Sequence, residues 1–265
     1  MVTMPAPPPA ASPPILAADR LAKRFAGLVA VDGMSLAVAP GEMVGLVGPN
    51  GAGKTTLFNL LAGSLRPDGG TVSIAGADVT REGPARRLSR GLGRTFQIPR
   101  PFPAMSVMDN MLVGAQGQAG ERLGAGLFAP LATRRQERAA RQKAAALLDF
   151  ASLAHLAGEP ARVLSGGQRK LLELARLMMA DPALLLLDEP AAGVNPALMD
   201  LIAARIAQIN AGGVSVLLIE HNIELVRAMC PRVVVMAAGR LLAAGPAEAV
   251  LTRPDVVAAY LGEAV

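Results

Sequence analysis

The stretch Gly48-Pro49-Asn50-Gly51-Ala52-Gly53-Lys54-Thr55-Thr56 constrains this chain more than any other. It has the form G-x-x-x-x-G-K-T. Before it, Glu42 to Val47 has the apolar profile of a buried strand. After it, Thr56 to Ala62 has an apolar-rich helical pattern. Glycines at these places let the backbone curl so that successive N–H groups converge on phosphate oxygens. The helix that follows adds the positive end of its dipole. Lys54 would reach the β- and γ-phosphates of a nucleotide, and the Thr55 hydroxyl would ligate Mg²⁺. An ordinary glycine turn requires neither the lysine nor the threonine. The expected fold is therefore α/β.

A second segment narrows the chemistry. Leu184-Leu185-Leu186-Leu187-Asp188-Glu189-Pro190 reads as a strand that ends in two carboxylates. Four leucines suit a strand buried on both faces of a parallel sheet. Ligands bind at the carboxyl ends of strands in open α/β sheets. Asp188 there can hold Mg²⁺, directly or through water, and Glu189 can polarise a water for attack on a γ-phosphate.

The third segment is Leu164-Ser165-Gly166-Gly167-Gln168, at the start of a helical pattern that continues to Ala180. Ser165 is a good N-cap, and the glycines beside it free backbone N–H groups to face a phosphate. This segment resembles the signature motif of ATP-binding cassette (ABC) ATPases. The order of motifs is that of a cassette: glycine-rich loop, Gln97, signature, Asp188-Glu189, then His221. The resemblance covers about residue 15 to the C-terminus. It implies a RecA-like nucleotide-binding core with an antiparallel edge sheet and an inserted helical subdomain. It also implies that the signature completes the ATP site of an opposite subunit.

Further roles follow from the resemblance alone. Gln97, in Arg94-Thr95-Phe96-Gln97, matches the glutamine that touches Mg²⁺ and the attacking water. His221, in Ile219-Glu220-His221-Asn222, matches the histidine that contacts the γ-phosphate. Phe25 matches the aromatic that stacks on adenine, the alternative being a core phenylalanine. His155, in an alanine-rich stretch, reads as a structural residue. One departure is visible. Ala191-Ala192-Gly193-Val194-Asn195-Pro196 places Asn195 where the family usually has Asp. That wording is similar to ATP-binding subunits of branched-chain amino-acid transporters. So are Gly93 to Gln97 with Arg100-Pro101-Phe102-Pro103, and the tail Pro254 to Glu263. The signature departs from that subgroup in keeping Ser-Gly-Gly.

Composition bounds the rest. No helical pattern has the roughly 18 apolar residues needed to cross a membrane. The prolines among Met1 to Pro14 read as a disordered, polyproline-like tail without a basic leader. The single Cys230 fits a reducing cytoplasm. A net charge of +5 raises nucleic acid as a partner. The arginines are scattered, however, and aromatic content of 3% gives no stacking platform. A cationic surface near an anionic bilayer explains the charge equally well.

Along the chain, residues Ile15 to Val47 predict an antiparallel edge sheet with turns at Asp32-Gly33 and Pro40-Gly41. Residues 98–180 predict the helical subdomain, with a loop at Gly114 to Gly126 and a helix from Thr133 to Ala157. Residues 15–97 and 181–265 predict the nucleotide-binding core, closed by a hairpin around Gly239. The resemblance implies a peripheral ATPase at the cytoplasmic face of a membrane. Its expected partners are ATP, membrane permease subunits, a second cassette (a homologue or another copy) and, indirectly, a substrate-binding protein. Branched-chain or other small amphipathic amino acids are the expected cargo. A urea or amide importer, or a lipid-related exporter, is the alternative within transport. Outside it stands a non-transport ABC ATPase of DNA repair or translation. The short interval between loop and signature, without heptads or paired cysteines, speaks against that class.

Overall fold

The computed structural model describes residues 13–95, 101–116 and 130–261. The expectations placed on Met1 to Ser12, on Gln97, on most of the Gly114 to Gly126 run and on Gly262-Glu263 lie outside them. In chain order the strands are β1 (Leu16–Phe25), β2 (Leu28–Val38), β3 (Met43–Val47), β4 (Gly69–Ile74) and β5 (Ala77–Asp78). They continue with β6 (Leu92–Arg94), β7 (Leu184–Asp188), β8 (Ser215–Ile219), β9 (Arg232–Ala237) and β10 (Arg240–Pro246). The longer helices are α1 (Lys54–Leu61), α4 (Pro130–Phe150), α5 (Gly166–Met178) and α6 (Pro196–Ala211). Shorter ones are α2 (Pro84–Ser89), α3 (Val107–Leu112), α7 (Ile223–Met229), α8 (Ala247–Leu251) and α9 (Pro254–Leu261).

Strands β3, β7, β8 and β9 are Val- and Leu-rich and buried along nearly their whole length. They join in one sheet of order β10-β9-β3-β8-β7-β6, parallel except for β10. Burial on both faces follows from the pleat. Val47, Leu185, Leu187 and Leu218 enter a core shared with Val107, Met111 and Leu148 of α3 and α4 and Leu171 of α5. Leu46, Leu184, Leu186 and Ile219 enter a second core with Leu57, Phe58 and Leu61 of α1 and with Leu21 and Met34 of the other sheet. That other sheet is antiparallel, in the order β2-β1-β4-β5.

Three local expectations are corrected. Asp32-Gly33 is not a turn but lies inside β2, where Gly33 (φ 67°) accompanies a register shift against β1. A bulge absorbs a positive-φ residue without ending a strand. The reversal sits instead at Ala26-Gly27, whose φ values of 42° and 97° suit a two-residue hairpin turn. The helix expected from Thr133 to Ala157 ends at Phe150, because Ser152 adopts φ 58° and a separate 3₁₀ turn covers Ala154–Leu156. His155 lies exposed on that turn. Finally, Arg87 does not add to a cationic surface. It is 0% exposed.

Arg87 instead anchors the far end of α1. Its Nη1 donates to the Leu60 and Leu61 carbonyls at 2.6 Å each, Nη2 to the Val79 carbonyl at 2.7 Å and Nε to the Glu82 carbonyl at 3.0 Å. These carbonyls lie in the last turn of α1, at the negative end of the helix dipole, and that of Leu60 also accepts from the Gly63 N–H at 3.2 Å. Burial lowers the guanidinium pKa, opposed by Glu82 and Asp78. Arg87→Met removes these donors, although the Leu60 and Val79 carbonyls keep the N–H groups of Gly63 and Glu82. It is expected to lower unfolding stability by about 2–4 kcal/mol, read as a lower urea midpoint. An unchanged midpoint would refute this role.

Candidate functional site

Parallel pairing brings the chemistry to one edge. In register, Leu46 of β3 pairs with Ile219 of β8, and Ile219 with Asp188 of β7. The glycine-rich loop, Asp188-Glu189 and His221 therefore leave the sheet side by side. The loop curls because Gly53, the N-cap of α1, has φ 98°. A Cβ there would stand 2.2 Å from the Ala30 carbonyl oxygen, so only glycine fits. The loop is pinned from outside. The Gly48 N–H donates to the Tyr260 hydroxyl of α9 at 2.7 Å. The Gly239 N–H donates to the Ala52 carbonyl at 3.0 Å, while the Gly239 carbonyl accepts from Asp32 at 2.8 Å.

A cavity of about 380 Å³ opens on this loop. Asn50, Gly51, Ala52, Gly53, Lys54, Thr55 and Thr56 line it, together with Glu189 and His221. Gly48 and Pro49 offer carbonyls to the Lys54 Nζ at 2.6 and 2.9 Å. Burial lowers the Lys54 pKa, and the carboxylates of Glu189 and Asp188 oppose that shift. Leu28, Val29 and Ala30 complete the wall. Nothing in the motifs named these three; the only available signal was their place after the Phe25 hairpin. Phe25 does not border the cavity, nor is it a core residue. It is 43% exposed at the end of β1, paired with Leu28, with the Lys23 ammonium 5.6 Å from its ring centroid.

Asp188 and Glu189 differ sharply. Asp188 is 3% exposed, its N–H donates to the Thr95 hydroxyl at 3.0 Å, and Arg94 lies 3.7 Å from its carboxylate. Burial raises its pKa, with Arg94 opposing. Glu189 carries its Oε1 2.8 Å from His221 Nε2, on a backbone at φ 49°. The sequence reading passed over two charged residues behind it, Lys170 on α5 and Glu220 at the end of β8. Both were in view only as motif neighbours. Burial lowers the Lys170 pKa and raises that of Glu220.

The signature lies apart, and none of its residues borders the cavity. Ser165 caps α5 in a reciprocal box with Gln168: Ser165 Oγ accepts from the Gln168 N–H at 3.3 Å, and Gln168 Oε1 accepts from the Ser165 N–H at 2.9 Å. Leu164 is buried, and Ser165 and Gly166 are exposed. Gly167 is packed, since a Cβ there would lie 1.9 Å from Leu198 of α6. Asn195 is the N-cap of α6, its side-chain oxygen accepting from the Leu198 N–H at 2.9 Å. Its amide is thus engaged within the chain.

Residues 31–192 match the family described as ABC transporter. The chain is 43% identical over 255 residues to the high-affinity branched-chain amino acid transport ATP-binding protein BraF of Pseudomonas aeruginosa, covering 96% of this chain and 100% of that one. It is 41% identical over 256 residues to the corresponding LivG protein of Escherichia coli, covering 96% and 100%. Among solved structures, the ADP conformation of MJ1267, an ATP-binding cassette of an ABC transporter, superimposes with a TM-score of 0.80 at 35% identity, over 94% of this chain and 99% of that one.

Two binding predictions follow, the first from this geometry and the second from the resemblance that matches Phe25 to an adenine-stacking aromatic. Lys54→Ala removes the ammonium from the loop and is expected to weaken ATP binding about 10- to 100-fold, the range for a hydrogen bond to a charged group. Titration with a fluorescent ATP analogue measures it. Phe25→Ala is expected to cost about 1–3 kcal/mol of ATP affinity by analogy with base stacking. The wild type should bind GTP nearly as well as ATP, because a ring face does not read base edges. Unchanged affinity in Phe25→Ala would remove it from the site.

Proposed function

The chain belongs to the ABC transporter family, and from that premise we propose that it is the ATP-hydrolysing subunit energising uptake of branched-chain amino acids. One observation carries the chemistry: the glycine-rich loop, Glu189 and His221 border a single cavity. In this reading, backbone N–H groups from Asn50 to Thr56 and the Lys54 ammonium hold the phosphates. Glu189 takes a proton from the attacking water. The water oxygen bonds to the γ-phosphorus, and the bond from that phosphorus to the β,γ-bridging oxygen breaks, its electrons leaving with ADP. His221 holds the Glu189 carboxylate in place and contacts the γ-phosphate.

The donors on this edge fit Mg²⁺. Thr55 offers a hydroxyl, and the buried Asp188 offers a carboxylate at the end of β7. Both are hard oxygen ligands, and Mg²⁺ takes one or two protein oxygens alongside phosphate and water. Gln97 is proposed as a further ligand. When bound, the ion neutralises negative charge on the β- and γ-phosphates.

The exposed Ser165 and Gly166 lie outside the cavity of their own chain, which supports a two-cassette arrangement. Each ATP would then lie between one subunit's loop and the other's signature, with the partner a homologue or another copy. The residues between β6 and β7 form the proposed helical subdomain, which would pass closure to separate permease subunits. No helix among the described residues is long and apolar enough to cross a membrane. A peripheral position on the cytoplasmic face follows from this proposal, with a substrate-binding protein as an indirect partner. The cargo is inferred from relatives that match nearly the full chain and serve branched-chain amino acid transport.

Glu189→Gln is expected to keep ATP binding and to slow hydrolysis about 10²- to 10⁴-fold, trapping an ATP-bound dimer visible by gel filtration. In a deletion strain, uptake of labelled leucine, isoleucine and valine should be lost. Wild type should restore it and Glu189→Gln should not. Normal uptake of all three in the deletion strain would overturn the cargo, and near-normal turnover in the variant would overturn the general base.

A further inference from the structure

Glu189 is held in a backbone conformation that L-residues rarely adopt. Its φ of 49° is in the left-handed region, and such a residue persists only where its surroundings over-determine it. The hydrogen bonds around it show what does so. Its N–H donates to the Ile219 carbonyl at 3.0 Å. Its carbonyl accepts from the Lys170 ammonium at 2.8 Å. Two residues on, the Ala191 N–H donates to Glu220 Oε1 at 2.9 Å. Glu220 immediately precedes His221 in the chain. Through the Ala191 bond, Glu220 thus fastens the chain just after Glu189 to the strand end that carries His221, whose ring contacts the Glu189 side chain.

Lys170 makes the bond that crosses between elements. It stands on the second turn of α5, the helix that Ser165 and Gln168 cap. Together with Glu173 it borders a narrow cavity also lined by Thr95, Asp188 and Glu189. We propose that Lys170 and Glu220 are positioning residues for hydrolysis, which fix the peptide of Glu189 and tie the aim of its carboxylate to the signature helix. Displacement of that helix moves the Lys170 ammonium, and with it the carbonyl next to the Glu189 side chain. A signature contacting nucleotide would in this way be coupled, inside one subunit, to the orientation of that subunit's base. The inference rests on the reading of Glu189 as the general base.

Steady-state kinetics on the purified full chain with Mg²⁺-ATP tests it. Lys170→Met is expected to lower kcat about 10- to 100-fold, the scale of misplacing a catalytic group. The KM for ATP and the thermal midpoint should stay within about twofold and a few degrees of wild type. Lys170→Arg, which can still donate to the Glu189 carbonyl, is expected to recover most of that loss. Glu220 provides a test that survives misfolding of the lysine variant. Glu220→Gln keeps an oxygen acceptor for the Ala191 N–H and should retain kcat within about threefold, whereas Glu220→Ala should lose it with KM unchanged. Wild-type kcat in Lys170→Met, or equal kcat in the two Glu220 variants, overturns the proposal if Glu189→Gln is inactive. Turnover in Glu189→Gln overturns the underlying reading instead.

Discussion

The register between three parallel strands is the constraint on which the rest depends. Leu46, Ile219 and Asp188 lie abreast because β3, β8 and β7 pair without offset. A slip of one residue in a strand buried on both faces would exchange its two sets of side chains between cores. It would also move a carboxylate or a loop glycine by about 3.3 Å along the sheet. The apolar runs therefore do two things at once. They hold the sheet between its two cores, and they deliver a phosphate loop, two carboxylates and a histidine to one edge. The active groups are placed by leucines and valines that never touch them.

That edge sorts its charges by burial. Asp188 sits behind Thr95 and Arg94, almost out of solvent, where desolvation disfavours its ionised form. Such a carboxylate gains most from a bound cation. Glu189, its chain neighbour, turns away through a left-handed peptide toward His221 and the open cavity. Two adjacent acids thus face different surroundings because one residue leaves the β conformation. A continued strand would have sent them to opposite faces of the sheet instead.

The loop, the four leucines before Asp188 and the amphipathic signature helix were legible in the sequence because each has a strong local code. Glycine supplies positive φ, apolar runs supply burial, and Ser165 with Gln168 supplies a cap. What was not legible is tertiary. Asp32-Gly33 has turn chemistry, but its bulge is dictated by pairing with β1. Arg87 has no local code that sets it apart from the other arginines, and its burial shows only where α1 ends against it. Gly167 reads as a backbone donor, yet it is the contact point for Leu198. Asn195 reads as a lost interface charge, while its local work is to start α6. Leu28, Val29 and Ala30 form the cavity wall only because a hairpin folds over the loop. Lys170 and Glu220 draw their significance from one strained peptide, which no pattern of residue types encodes.

The bond between Tyr260 and Gly48 joins positions 212 residues apart. Gly48 opens the phosphate loop, whereas α9 is the last helix described. During synthesis the loop emerges long before the helix that secures its first amide. At about 5–20 residues per second, the interval lasts on the order of ten seconds or more. For most of that interval β9, which flanks β3, and the Gly239 turn, which holds Ala52, are missing as well. A half-made chain can therefore display the whole glycine-rich motif without the framework that shapes it. The shaping of the phosphate loop is therefore completed late, by residues made some two hundred positions after the loop itself.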